Sequence, residues 1–382
     1  MAPLRPCFLP TRRDAVLGMA GWLVLPALQA QPSHRPGDTL QPRPLVFPRD
    51  HGSHNQTRTE WWYLTGQAST AQGRRFGFQV TFFRSRVDEA QDLRSRLAAR
   101  QLLFAHAAIT DVQSGELRHD QRIARWNGEP PEVRERGVFA STEDTHVVLR
   151  DWSLQRHADG GYSTRVAGSS ELAIDLRAQA TQAWLLQGAQ GFSRKGPDPS
   201  QASFYVSQPQ LQVQGTLGVK GERFEVQGTA WLDHEWSEAI LHPEAVGWDW
   251  IGMNLLDGSS LTAFQLRRAD GSALWTGGSF RRAADAQSAT AARAFQPGEV
   301  SWTPLRHWTS PLTRAAYPVE WRVHTPAGEH TVKAVIDPQE LDSRASTGTV
   351  YWEGLSDLLD AQGRSVGRGY LEMTGYAQRL VL

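Results

Sequence analysis

From residue 60 onward, apolar and polar positions alternate with the two-residue period of half-buried strands, and helical periodicity is scarce. Residues 76–84 are aromatic and β-branched in that rhythm, and residues 102–111 repeat it before a turn at Ser114-Gly115. Residues 211–219 alternate cleanly, turn at Lys220-Gly221 and are answered by 223–232, which reads as a hairpin. The second half follows the same grammar. Residues 248–256 and 260–267 flank Asp257-Gly258, a strand near Leu274-Trp275 follows Asp270-Gly271, and 319–325 faces 329–336 across Ala327-Gly328. Gly-centred turns at strand spacing predict an antiparallel, all-β architecture of barrels or sandwiches. Two segments have helix-forming composition: residues 88–100, polar enough to be an exposed helix or a loop insertion, and the Ala-rich residues 285–293.

A chain of 382 residues exceeds what one core usually supports, so two domains are expected. The strand pattern breaks between Trp236 and Trp248, at His242-Pro243, which divides an N-terminal domain (46–240) from a C-terminal one (241–382). Ahead of them, Arg5, Arg12 and Arg13 precede a short apolar run that ends in small residues at Ala27 and Ala30. Residues 1–30 therefore read as an export signal, and Thr11-Arg12-Arg13-Asp14 is similar to a twin-arginine motif. The run is too short and too broken by Gly and Pro for a stable membrane span. Residues 31–45 read as a Pro-rich leader, and the mature protein is expected in the periplasm or secreted.

The 40 basic residues balance the 40 acidic ones without forming a polybasic stripe, which argues against nucleic acid as a partner. Cys7 is the only cysteine, so no intramolecular disulfide or Cys-ligated metal can form. No Gly-x-Ser-x-Gly elbow appears, and no cofactor is expected.

What stands out is aromatics set beside ionisable groups. Glu60-Trp61-Trp62-Tyr63, Asp233-His234-Glu235-Trp236, Trp248-Asp249-Trp250 and Tyr351-Trp352-Glu353 suggest an apolar pocket with convergent carboxylates near the domain junction. His234, with Asp233 and Glu235, is the candidate acid–base centre, because a His among acids and Trp faces can be held protonated. The competing role for this trio is a buried network that specifies packing. Glu60, Trp62, Tyr63, His106, Trp236, Trp248, Asp249, Trp250, Tyr351 and Glu353 are the candidate ligand-binding residues. Strand alternation places Glu60 and Trp62 on one face and Trp61 and Tyr63 on the other. Glu353 and Glu372 would need a buried partner, for which Arg84 or Arg368 are the candidates. His51 and His54 form a His-x-x-His pair that lacks the Glu of a zinc protease helix, so no metal site is assigned.

These strings, together with Phe47-Pro48-Arg49-Asp50-His51-Gly52, Phe104-Ala105-His106 and residues 369–376, resemble the lipocalin-like AttH proteins. That group is related to the carotenoid 1,2-hydratases and is often labelled predicted secreted hydrolases. The resemblance covers nearly all of the mature chain. It implies two lipocalin-like (calycin-type) antiparallel β-barrel domains packed together, the second more open. His234 and Trp236 match the hydratases' His-x-Trp element. The strand that supplies a Tyr and an Asp in those enzymes corresponds here to residues 261–266, which offer Phe264 and no acid.

The expected function is binding of a hydrophobic, isoprenoid or lipid-like molecule. The enzymatic version is a carotenoid 1,2-hydratase-like lyase or a cyclase. The alternatives are a non-catalytic periplasmic carrier and a metal-dependent secreted hydrolase.

Overall fold

The computed structural model describes residues 39–131, 137–168 and 171–380. The export segment (1–30) and most of the 31–45 leader lie outside them. The described residues form two antiparallel sheets and no α-helix. The first sheet runs from Glu116–Trp126 through Gln101–Asp111, Arg75–Arg86 and Thr59–Ser69 to Glu222–Ala239 and Ala202–Val219. It continues through Leu172–Gln179, Tyr162–Val166, Trp152–Arg156 and His146–Leu149 to Val138–Ala140, where its far edge approaches Glu116–Trp126. The sheet thus curls into a nearly closed barrel filled by Trp62, Phe78, Phe82, Leu103, Trp152 and Leu217.

The second sheet centres on Gly247–Leu255, Ser365–Met373 and Val350–Leu359, and its own core holds Ile251, Met253, Trp321, Trp352 and Leu371. The fold is therefore the all-β, two-barrel lipocalin-like arrangement that the resemblance implied.

The hairpins follow their turn chemistry. Lys220 and Gly221 both take positive φ (53° and 81°), which suits the tight turn joining two twisted strands. Neither helix candidate is an α-helix. Asp88–Ala90 and Ala283–Asp285 are single 3-10 turns, and turns or loop follow each. Without an apolar stripe to bury, composition alone does not hold a helix there.

The outer face of the first sheet packs on the second through Tyr63, Trp231, Trp250, Phe264, Leu355 and Tyr370. Gly77 permits the approach, since a Cβ there would stand 2.7 Å from Tyr370 Oη and 3.0 Å from Leu355 Cβ. No helix among the described residues is long and apolar enough to cross a membrane.

Candidate functional site

Register and alternation together build the site. In the first sheet, Phe104, Phe83, Trp61, Glu235 and Tyr205 are successive cross-strand partners, so they form one row on one face. The row beside it is His106, Thr81, Tyr63, Asp233 and Ser207. In the second sheet the row Phe264, Trp250, Glu372 and Glu353 faces them. Apart from Ser207, all these residues line one cavity of about 310 Å³ between the sheets, its surface mostly apolar.

Each carboxyl in the cavity has a different environment. Asp233 accepts from Tyr205 Oη (2.7 Å), Ser207 Oγ (2.5 Å) and Trp231 Nε1 (2.7 Å). Burial nevertheless pushes it up to about 7, against those three donors. Glu235 pairs with Lys195 Nζ at 2.9 Å, and that ammonium stands 4.6 Å and 4.3 Å from the Tyr205 and Phe264 ring centroids. Glu372 is pushed up to about 7 by burial and by the charges of Glu235 and Asp233, with Trp248 opposing.

Glu353 is raised well above the carboxylate range, by burial first and then by the charge of Glu372. Its Oε2 accepts from Gln79 Nε2 at 2.6 Å, whereas Oε1 has no hydrogen-bond partner. Tyr63 Oη lies against Glu353 and opposes the rise of its carboxyl as a hydrogen-bonding neighbour, although the pair falls short of full hydrogen-bond geometry. Beside them, Tyr351 Oη and His106 Nδ1 lie 2.8 Å apart, and His106 Nε2 meets Ser346 Oγ at 2.8 Å. Burial pulls His106 down to about 3, so it is neutral.

Alternation sends His234 the other way. Among the candidates, His234, Trp62, Trp236 and Asp249 do not line the cavity, while Glu60, Tyr63, His106, Asp233, Glu235, Trp248, Trp250, Tyr351 and Glu353 do. His234 stacks on Trp62 (4.8 Å between centroids) and meets Glu60 Oε1 through Nε2 at 2.9 Å. Burial lowers its pKa, against Glu60.

Glu60 also accepts from Ser53 Oγ, the His54 amide and Arg84 Nε. His54 lies between carboxylates, with Nδ1 2.9 Å from Glu60 and Nε2 2.9 Å from Asp50. Arg43 closes the chain on Asp50 at 2.7 Å. The network ties residues 43–60 to the first barrel. Asp249 is held by Arg267, Gln265 and Tyr376.

One expectation needs correction. Arg84 pairs with Glu60 and Arg368 with Asp357, so neither reaches Glu353 or Glu372. The cross-strand register pairs those two acids with each other instead. His51 does not join His54, because its ring packs against Trp184, 4.1 Å between centroids and tilted by 32°, while both nitrogens of His54 are engaged by Glu60 and Asp50. Among the described residues the metal-competent grouping is His54, Glu60 and His234, whose ligand atoms lie within 4.8 Å of one another. Those atoms are already engaged with one another, and the Arg84 guanidinium already neutralises Glu60, so the donor set fits a closed hydrogen-bond network better than an ion.

Trp61, Lys195, Tyr205 and Glu372 line the cavity but were not among the candidate ligand-binding residues. Trp61 shares its face with Tyr63, and Glu372 is two residues from Tyr370 in a strand, so both had a signal. Lys195 and Tyr205 had none.

Comparison with known proteins agrees with this architecture. The AttH-like family model matches residues 38–376. A crystal structure of an AttH protein from Nitrosomonas europaea is 44% identical, with a TM-score of 0.79, covering 88% of this chain and 99% of that one. Kievitone hydratase from Nectria haematococca is 13% identical, with a TM-score of 0.64, covering 87% of this chain and 93% of its own. CghA, in its structure with Sch210972, is 12% identical, with a TM-score of 0.52 and coverages of 88% and 95%. The last two establish likeness of fold. Curated proteins give no match.

Proposed function

This chain belongs to the AttH-like family, and from that premise we propose that its junction cavity binds an apolar, isoprenoid or lipid-like molecule and carries out acid–base chemistry on it. The carrying observation is Glu353, a buried carboxyl on an aromatic wall with Oε1 unpartnered. Because Oε2 accepts from Gln79, the proton of the neutral acid belongs on Oε1.

For hydration, that proton adds to an alkene carbon, and the resulting cation lies over the faces of Trp61, Trp248 and Trp250. Water adds to the cation, and its surplus proton passes to Glu372 or Asp233, whose pKa values near 7 suit both directions of transfer. A fold shared with a protein named a hydratase supports this reaction class. His234, turned away from the cavity, is then part of the scaffold.

Titration with the neutral probe N-phenyl-1-naphthylamine should give saturable fluorescence enhancement, which acyclic isoprenoids displace. No saturable binding would remove the reading. For the catalytic part, an isoprenoid alkene should gain the mass of one water, and Glu353→Gln should abolish the gain. Binding without any product would leave a non-catalytic carrier, the second reading, which the mostly apolar lining also favours. The basic, apolar, small-residue layout of residues 1–30 supports export to the periplasm or beyond. Protein recovered from its own host should therefore begin near Gln31, and a retained Met1 would overturn export.

A further inference from the structure

Glu353 and Glu372 are directly opposite each other on adjacent strands, both on the cavity face. Two carboxyls in that relation repel when ionised, and sheets normally avoid the arrangement or place a cation against it. Here, among the described residues, no Arg or Lys pairs with either. Lys195, the one Lys or Arg among the described residues of the cavity wall, is 2.9 Å from Glu235 and belongs to that acid. Asp233, facing them from the first sheet, has three hydrogen-bond donors but no positive partner. Glu353 Oε1 and Tyr63 Oη are buried at the cavity wall with only each other as hydrogen-bonding neighbours, short of full geometry, so acceptor capacity is left there. Around them are the rings of Trp61, Trp248, Trp250 and Phe264, whose faces attract positive charge.

We propose that the Glu353–Glu372 pair and its aromatic surround form a subsite for a positive charge, and that the cavity takes an amphiphilic cation: an alkyl or isoprenoid chain bearing an amine or quaternary ammonium group. The proposal rests on the cavity reading above and narrows its ligand class. A bound ammonium supplies the charge that the pair lacks, and the apolar remainder of the cavity takes the chain. The same subsite would stabilise a carbocation, so a stable ammonium also serves as a mimic of that intermediate.

The test uses three ligands of one chain length, decyltrimethylammonium, decanol and decanoate, below their aggregation limits. Each competes with N-phenyl-1-naphthylamine on the full mature chain at pH 8. Decyltrimethylammonium should bind roughly tenfold tighter than decanol or better. Glu372→Gln should erase that preference, and circular dichroism should show that the fold is kept. Glu372→Met, which removes the same carboxyl with an apolar chain of similar length, gives a second, independent loss of preference if Glu372→Gln does not fold, whereas Glu353→Gln, which resembles the neutral acid in shape, should keep the preference.

Equal affinities for the cation and decanol, or a preference that survives loss of the Glu372 carboxyl, would overturn the subsite and leave the apolar cavity standing. Tightest binding of decanoate would overturn it in favour of Lys195 as the anchor. Failure of the naphthylamine probe itself to bind would instead refute the cavity reading beneath it.

Discussion

Arg84→Met should cost about 3–5 kcal/mol of stability. The guanidinium is fully buried, and its five N–H donors all have acceptors. Nε donates to Glu60 Oε2 (2.9 Å), Nη1 to Thr57 O (2.8 Å) and Gln101 Oε1 (2.9 Å), and Nη2 to His54 O (3.0 Å) and Thr57 Oγ1 (2.8 Å). Removing it leaves Glu60 charged, buried and short of its main counter-ion. The charge of Arg84, with hydrogen bonds from His234 and His54, is what holds Glu60 well below the carboxylate range against burial. Urea unfolding measures the effect, and the double variant with Glu60→Gln should recover part of the loss, because it no longer strands a charge. A single variant within 1 kcal/mol of the parent, by the same order-of-magnitude reckoning, would mean that the network is not what anchors residues 43–60.

Glu372→Gln should act in the opposite direction and raise stability at pH 8. The sign follows from linkage. A carboxyl raised to about 7 in the folded state favours folding below its unfolded value, near 4.5, and that contribution is lost as pH rises through 7. At pH 8 the native state must hold a buried carboxylate that the unfolded chain hydrates freely. Removing that demand is worth on the order of 3 kcal/mol at pH 8 and nearly nothing at pH 4.5. Glu353→Gln should behave the same way, because its carboxyl is also raised, by burial and by Glu372. The two effects will not add, since each acid lowers its neighbour's pKa by leaving.

The comparison must be variant against parent at each pH. Buried neutral histidines such as His51 and His106 destabilise the parent as pH falls below 6.5, and so mask the trend in its own curve. Melting temperatures from pH 4.5 to 8 provide the check. A variant less stable than the parent at pH 8 would show that the pair supports the fold instead of burdening it. Stability gained together with lost activity is the expected signature of strain kept for function.

Much of the fold was legible because strands declare themselves locally. Alternation and turn glycines located the hairpins around Lys220-Gly221, Asp257-Gly258 and Ala327-Gly328, and the rare Trp-containing strings carried the family. The same alternation required Asp233 and Glu235 to face away from His234 and Trp236, so the four residues of that string could not share one site. Sequence reasoning drew this consequence for Trp61 and Trp62 and not for His234, whose prominence came from its chemistry. Of the two readings of residues 88–100, the loop insertion holds and the exposed helix does not, for the complementary reason: composition gives a propensity, and only a packed apolar face converts it into a helix.

The chain by itself determined its strand rhythm, its turns and which side chains share a face, because these depend on neighbours within a few residues. Which face meets water, a barrel core or the second sheet was decided only in the tertiary structure. So was the pairing of Glu353 with Glu372, which are 19 residues apart in the chain and joined by register between two adjacent strands. Glu60 and His234, 174 residues apart, meet for the same reason, since Thr59–Ser69 and Glu222–Ala239 are neighbours in the sheet. A carboxyl's chemistry depends on the dielectric and the charges around it. Those come from distant segments, so the sequence could name Glu60 and Glu353 alike, and only the folded chain made one a buried ion-pair anchor and the other a neutral acid.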